Sequence, residues 1–148
     1  VLQCRDWLPD EVGGIAWFSF DNPAQSPRFP IFSGNTELPP SFEICGQRRF
    51  RTDSACWWFR RANKLATVRW GTTRKFIEDA VKEFEEKAFS ELPLVEKEVL
   101  ALLESGDSAD TAKAKKYLTQ YTNDFARAAM NKYWELGDRF WTMFARGF

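Results

Sequence analysis

The sequence has 148 residues, zero formal net charge and no histidine, with 44% hydrophobic and 16% aromatic residues. This length and apolar content fit one ordered domain and exclude wholesale disorder, while the balanced charge removes any global electrostatic case for nucleic acid or an anionic membrane. Without histidine the chain holds neither a Ser-His-Asp nor a Cys-His arrangement nor the usual nitrogen ligands of zinc, and no run approaches the roughly 18 apolar residues of a membrane span.

Residues 1 to about 34 read as β structure. A first strand over residues 1–5 is followed by a Pro- and Gly-containing loop, "DWLPDEVGG", and then by "GIAWFSFD", which predicts an antiparallel pair. In the second strand Ile15, Trp17 and Ser19 alternate with Ala16, Phe18 and Phe20, so both faces are largely apolar. Such a pattern predicts a central strand covered on both sides. "DNPAQSPRFP" is a turn region, "IFSG" a third short strand, and "NTELPPSFEICGQRRF" a loop.

From Thr52 the period changes to that of helices. Asp53 is the expected N-cap of the first, with Ala55, Trp58, Phe59, Ala62, Leu65 and Ala66 at helical spacing. A second helix starts near Thr73 and carries Phe76, Ile77, Ala80, Val81, Phe84 and Ala88 on one stripe. Pro93 is expected to break or kink it, and Gly106 to stop it. A third, long helix places Tyr117, Leu118, Tyr121, Phe125, Ala128 and Ala129 inward, with a break expected near Gly137. The fold class is therefore α+β: a few antiparallel strands (residues 1–50) followed by a long helical hairpin (residues 51–148). Three strands fall short of the roughly four to six usual in a sheet, so these are expected to belong to a larger sheet, and the chain to be the tail of a bigger protein.

Four groups of residues bear on chemistry. Cys4, Cys45 and Cys56 form no CxxC pair and read as buried, reduced thiols; Cys4 becomes a nucleophile only if a base lies nearby. Residues 48–75 hold nine Lys/Arg and one acid among Trp57, Trp58, Phe59 and Trp70, whereas residues 78–104 hold nine acids and three Lys. That contrast favours internal pairing of a basic helix beside an acidic one over nucleic-acid binding. The helical acids read as solubility residues, and "EVGGIAW" lacks the length and the lysine of a phosphate loop. Finally, Gln3 and Arg5 share a strand face opposite Leu2 and Cys4. Arg5 either holds a substrate carboxylate or pairs with an acid such as Asp6 or Asp10.

The ordered set "QCRDWLPDEVGGIAWFSFDNPAQSPRFPIFSG", "LPPSFEICG" and "DSACWWFRRANKLA" resembles the dipeptidase family of N-terminal-nucleophile cysteine hydrolases, bacterial dipeptidases and secernin-like proteins among them. The likeness is to the family's C-terminal third and rests on order and spacing, since no single stretch is a catalytic signature. It implies an αββα fold with two stacked antiparallel sheets and a dipeptide substrate. The nucleophile it implies is a Cys exposed at the mature N-terminus, whose own amine serves as base. Val1 has no thiol and Cys4 has three residues ahead of it, so neither fits, and the nucleophile is expected upstream of this chain. Arg5 is the residue expected to reach towards the active-site side. Arg60 and Arg61 stand where the family more often shows W-W-A-F, which weakens transfer of helix details. No metal or cofactor is implied. The partners implied are a dipeptide in the full-length protein and the remainder of its own chain, with homo-oligomerisation left open and neither nucleic acid nor membrane expected. The alternative is a non-enzymatic helical protein-interaction module.

Overall fold

The computed structural model describes residues 1–104 and 106–145. Their order is β1 (Leu2–Cys4), α1 (Asp10–Gly13), β2 (Gly14–Phe18), β3 (Phe29–Phe32), a 3-10 turn (Pro40–Phe42), α2 (Ala55–Val68), α3 (Trp70–Leu103) and α4 (Ser108–Ala145). The chain is mixed α and β, mostly helical, with one small antiparallel sheet in the order β1-β2-β3.

Side-chain alternation decides what the sheet buries. Leu2 pairs with Ala16 and Ala16 with Ile31, which sets one row; Gln3, Ile15 and Phe32 form the row on the opposite face. Ile15 and Phe32 point inward with Val12 of α1 and pack on Val95 and Val99 of α3 and Ala114 and Leu118 of α4. All seven are at most 2% exposed, and burying each large aliphatic or aromatic side chain contributes about 1.5–3 kcal/mol. A second cluster joins Phe29 to Phe59 and Ala62 of α2, Ile77 and Phe84 of α3, and Phe125, Tyr133 and Phe140 of α4. Thus α4 runs under both halves of the molecule.

The third strand starts earlier than "IFSG" and contains Pro30. The ladder explains why a proline is tolerated. Ser33 N–H donates to the Gly14 carbonyl (2.9 Å), so by antiparallel alternation Ile31 and Phe29 face β2 while Pro30 and Phe32 face away. Pro30 has no N–H to leave unpaired, and its carbonyl accepts the Thr122 hydroxyl of α4 (2.8 Å). Phe32 N–H donates to Asn35 Oδ1 (3.1 Å), and the Phe32 carbonyl accepts Asn35 N–H (3.0 Å). The outer edge of β3 is closed. Further along α4, Thr119 Oγ1 accepts Thr36 N–H (3.0 Å) and the Tyr133 hydroxyl donates to the Gln25 carbonyl (2.6 Å). Burial holds the Tyr133 phenol well above its ordinary pKa, so it remains a donor.

The helix boundaries correct several expectations. Asp53 does not cap α2: its carboxylate is taken by Arg51 (2.8 and 2.6 Å), and Ser54 occupies the N-cap position with its hydroxyl donating to the Ile44 carbonyl (2.8 Å). α3 begins at Trp70, ahead of Thr73, because the buried Thr73 hydroxyl closes the end of α2 by donating to the Ala66 carbonyl (2.7 Å). Pro93 lies inside α3 without ending it. It removes one main-chain donor, and the packing of Val95 and Val99 on α4 keeps the second half in place. Gly106, with φ 69°, takes the left-handed turn that few other residues adopt. α4 continues through Gly137. A Cβ there would stand 2.9 Å from an Arg61 guanidinium nitrogen, so the missing side chain makes room for a cation and does not mark a break. Arg61 donates to the Trp134 carbonyl (3.3 Å), pairs with Asp138 and lies over the Trp134 ring.

One ion pair ties the sheet to the hairpin. Arg5, just beyond β1, is 8% exposed; it pairs with Glu96 of α3 and donates from its other terminal nitrogen to the Val12 carbonyl (2.7 Å). Burial lowers the Arg5 pKa, yet it is matched by a carboxylate, and removing that carboxylate strands the cation. Glu96→Ala is expected to destabilise the chain by about 3 kcal/mol in denaturant titration, and Glu96→Gln by less because an acceptor remains. Gly34→Ala is expected to lower the melting temperature and cost about 1–3 kcal/mol. Its Cβ would meet the Glu11 carbonyl at 2.7 Å and Leu118 Cδ1 at 2.9 Å, neither of which has room to retreat.

Candidate functional site

The chemically useful groups lie on three surfaces. On the helix-facing side of β1, Gln3 and Arg5 do share a face, as their spacing predicts. Gln3 Oε1 accepts the Trp17 indole N–H (2.9 Å), and Arg5 meets Glu96, a carboxylate 91 positions away, not Asp6 or Asp10. No local signal in the sequence singles out that acid. Arg5 Nε is buried and has no hydrogen-bond partner.

The opposite face of the sheet is the second surface. Leu2 is 80% exposed, Phe18 is 43% exposed, and Ala16 and Ile31 between them are partly covered. β2 is central in the sheet, but its neighbours in this chain bury Ile15 and leave Trp17 half-buried on one face, and cover the other only at its end. There the Phe18 and Phe20 rings meet edge to face (5.0 Å) and Phe20 meets Phe42 (4.7 Å). Cys4 shares the outer face with Leu2 and is exposed; Cys45 is exposed in a loop, and Cys56 is partly covered in the first turn of α2. The expectation of three buried thiols is therefore corrected. The alternation that puts Cys4 with Leu2 is right, but the side they share is the open one. With no histidine in the chain, no thiol has an imidazole base, and among the described residues no cluster of Cys, Asp and Glu is suited to holding a metal ion.

The third surface is the turn after β2. Asp21 adopts φ 58°, a left-handed conformation tolerated by Asp and Asn better than by bulkier residues. Its carboxylate accepts Arg60 Nε (2.9 Å) and Asn63 Nδ2 (3.1 Å), and the same Asn63 amide donates to Ser26 Oγ (3.0 Å). The Asp21 bond raises the Arg60 pKa. The sequence reading missed this node. "DNP" marks the turn, but nothing local says that its acid reaches two residues of α2.

The same node accounts for part of the basic helix. Arg60 is neutralised by Asp21, Arg61 by Asp138 of α4, and Arg74 and Lys75 by Glu78 and Asp79 one turn along. Two of these partners, Glu78 and Asp79, open the acidic stretch of residues 78–104, while the other two come from the turn after β2 and from α4. Arg60 also lies 5.6 Å from the centre of the Trp57 ring, so its contact with an aromatic is internal. Among the described residues no helix is long and apolar enough to cross a membrane.

These surfaces show a scaffold. Strands are held on helices and one sheet face remains open. A family model described as Peptidase family C69 matches residues 1–83, a span covering the whole sheet, α2 and the first part of α3. No curated protein and no solved structure matches the chain. The match takes in the strand ends, the Asp21 turn and the Trp57–Trp58 helix together, and with more than half of its length covered, the chain belongs to Peptidase family C69, a family of cysteine peptidases.

Proposed function

We propose that this chain is the C-terminal part of a cysteine dipeptidase of the N-terminal-nucleophile type, and that the catalytic cysteine belongs to a part of the protein outside these 148 residues. The observation that carries the reading is the Peptidase family C69 match across the sheet and α2. The cysteines support it, since the chain has no histidine to deprotonate them and Cys4 is on a sheet surface open to solvent.

In this reading the outer face of β1-β2-β3 packs on a second sheet, and α3 and α4 form the outer helical layer on the other side. An apolar row of Leu2, Ala16 and Ile31 with Phe18 beside it suits packing at the roughly 10 Å spacing of stacked sheets. The amine of the N-terminal cysteine takes the thiol proton, and the thiolate adds to the peptide carbonyl carbon. The C–N bond then breaks with the proton passing to the leaving amine, and water hydrolyses the thioester to release the first amino acid. Hydrogen-bond donors from the remainder of the protein stabilise the oxyanion. What the present residues contribute is position: the Arg5–Glu96 pair and the Asp21 node hold the strand ends against the helices.

Full-length protein is expected to hydrolyse dipeptides and to lose that activity after treatment with iodoacetamide, while the 148-residue chain alone shows no hydrolysis. Turnover by the isolated chain above the buffer blank would place the nucleophile inside it and end this reading. Arg5 is the residue proposed to meet the substrate carboxylate, which requires the full-length enzyme to uncover its guanidinium, since here Nε is buried and the terminal nitrogens are held by Glu96 and Val12. In the full-length enzyme Arg5→Lys is then expected to raise KM about tenfold or more, the scale of one charge-assisted hydrogen bond. A lowered melting temperature with unchanged KM removes Arg5 from the substrate site and leaves it as the anchor of β1.

A further inference from the structure

The two edges of the sheet differ. At β3, every outward main-chain group is absent or satisfied: Pro30 has no N–H, its carbonyl is bonded to Thr122, and both groups of Phe32 are bonded to Asn35. At β1 the same accounting comes out open. Val1 and Trp17 exchange hydrogen bonds (2.8 and 3.1 Å), and Arg5 N–H donates to the Gly13 carbonyl (3.0 Å). Antiparallel alternation therefore turns the amides and carbonyls of Leu2 and Cys4 away from β2. Among the described residues nothing bonds to them. Nor does β1, with sequence LQC, carry a lysine, a proline or a bulge, the usual means of discouraging strand addition.

A cavity lies beside that edge on the helix side. It has a volume of about 280 Å³ and is lined by Val1, Trp17, Arg28, Glu85 and Phe89. The Trp17 and Phe89 rings are 5.4 Å apart, and Phe89 is 63% exposed. Arg28 and Glu85 neutralise each other at 2.7 Å, so the rim selects for neither charge. We infer that the outer edge of β1 is a strand-acceptor site, which takes an extended, uncharged, apolar polypeptide segment by main-chain pairing with Leu2 and Cys4 and receives one large side chain in the cavity, against the paired rings of Trp17 and Phe89. The occupant is apolar on both of its faces, because one side of its pleat meets this cavity and the other continues the exposed surface of Leu2. It extends the ladder β3-β2-β1 in the one direction that β3 leaves available. The inference rests on the reading above that these strands belong to a larger sheet, but its test reads main-chain pairing and not hydrolysis, so the two fail separately.

The probe is a capped synthetic pentapeptide of valine and alanine with a central phenylalanine, apolar on both faces, added to the 148-residue chain. At saturating peptide, amide hydrogen exchange at Leu2 and Cys4 is expected to slow about tenfold or more, while Gln3, already bonded to β2, changes little. Two N-methylated versions of the peptide separate pairing from unspecific adhesion. Methylating the amides that face β1 is expected to weaken binding about tenfold, whereas methylating the alternate set leaves it intact. Phe89→Ser, a change at an exposed position, is expected to weaken binding without unfolding the chain. Concentration-dependent protection of Leu2 and Cys4 without peptide makes a second copy the occupant and overturns the assignment of an apolar segment. Unchanged exchange at Leu2 and Cys4 at millimolar peptide, or equal binding of both methylated versions, overturns the inference.

Discussion

The contact on which this structure depends is the seating of one sheet face on the helical hairpin. Three short strands have too little area to stand alone, and a sheet so small gains stability only by laying an apolar face on something else. Here Ile15 and Phe32, with Val12 beside them, settle on Val95, Val99, Ala114 and Leu118. Because α4 continues past this cluster into the second one around Phe59, Phe125 and Tyr133, the same helix also holds α2 and the turn before β3. Loss of that seating would free the sheet and the Asp21 turn together.

The polar contacts sharpen what the apolar ones hold. Thr119, Thr122 and Tyr133 all lie on α4, and each bonds a main-chain group in the segment from Gln25 to Thr36. Arg5–Glu96 does the same for the end of β1 from α3. A buried ion pair is weak evidence for net stability, but it is specific: only one register of β1 against α3 lets the cation meet its carboxylate. The result is a sheet with one face buried, one edge sealed, and the other face and edge open.

Much of this was legible along the chain. The antiparallel β1–β2 pair follows from two apolar runs around a Pro- and Gly-containing loop, and the inward stripes of the three long helices follow from their period. Local rules failed where a residue's partner lies far away in sequence. Asp53 looks like a helix cap until Arg51 claims its carboxylate. Gly137 looks like a helix break until Arg61 of α2 fills the space left by its missing side chain. Pro93 reads as a break or a kink, but a long amphipathic helix packed on a neighbour withstands the loss of one hydrogen bond, and α3 continues through it. Free thiols usually lie in the interior, whereas Cys4 falls on the face that this chain leaves uncovered.

The sequence by itself determined the kinds of elements and their order, because hydrophobic period, turn residues and composition act over a few positions. It also determined what chemistry is unavailable, because a chain without histidine has no imidazole in any fold. Only the tertiary structure decided which acid neutralises Arg5, which edge of the sheet is closed and which face of β2 is buried. Those are contacts between residues tens of positions apart, and the free energy that selects them arises when helices and strands pack, not while each element forms.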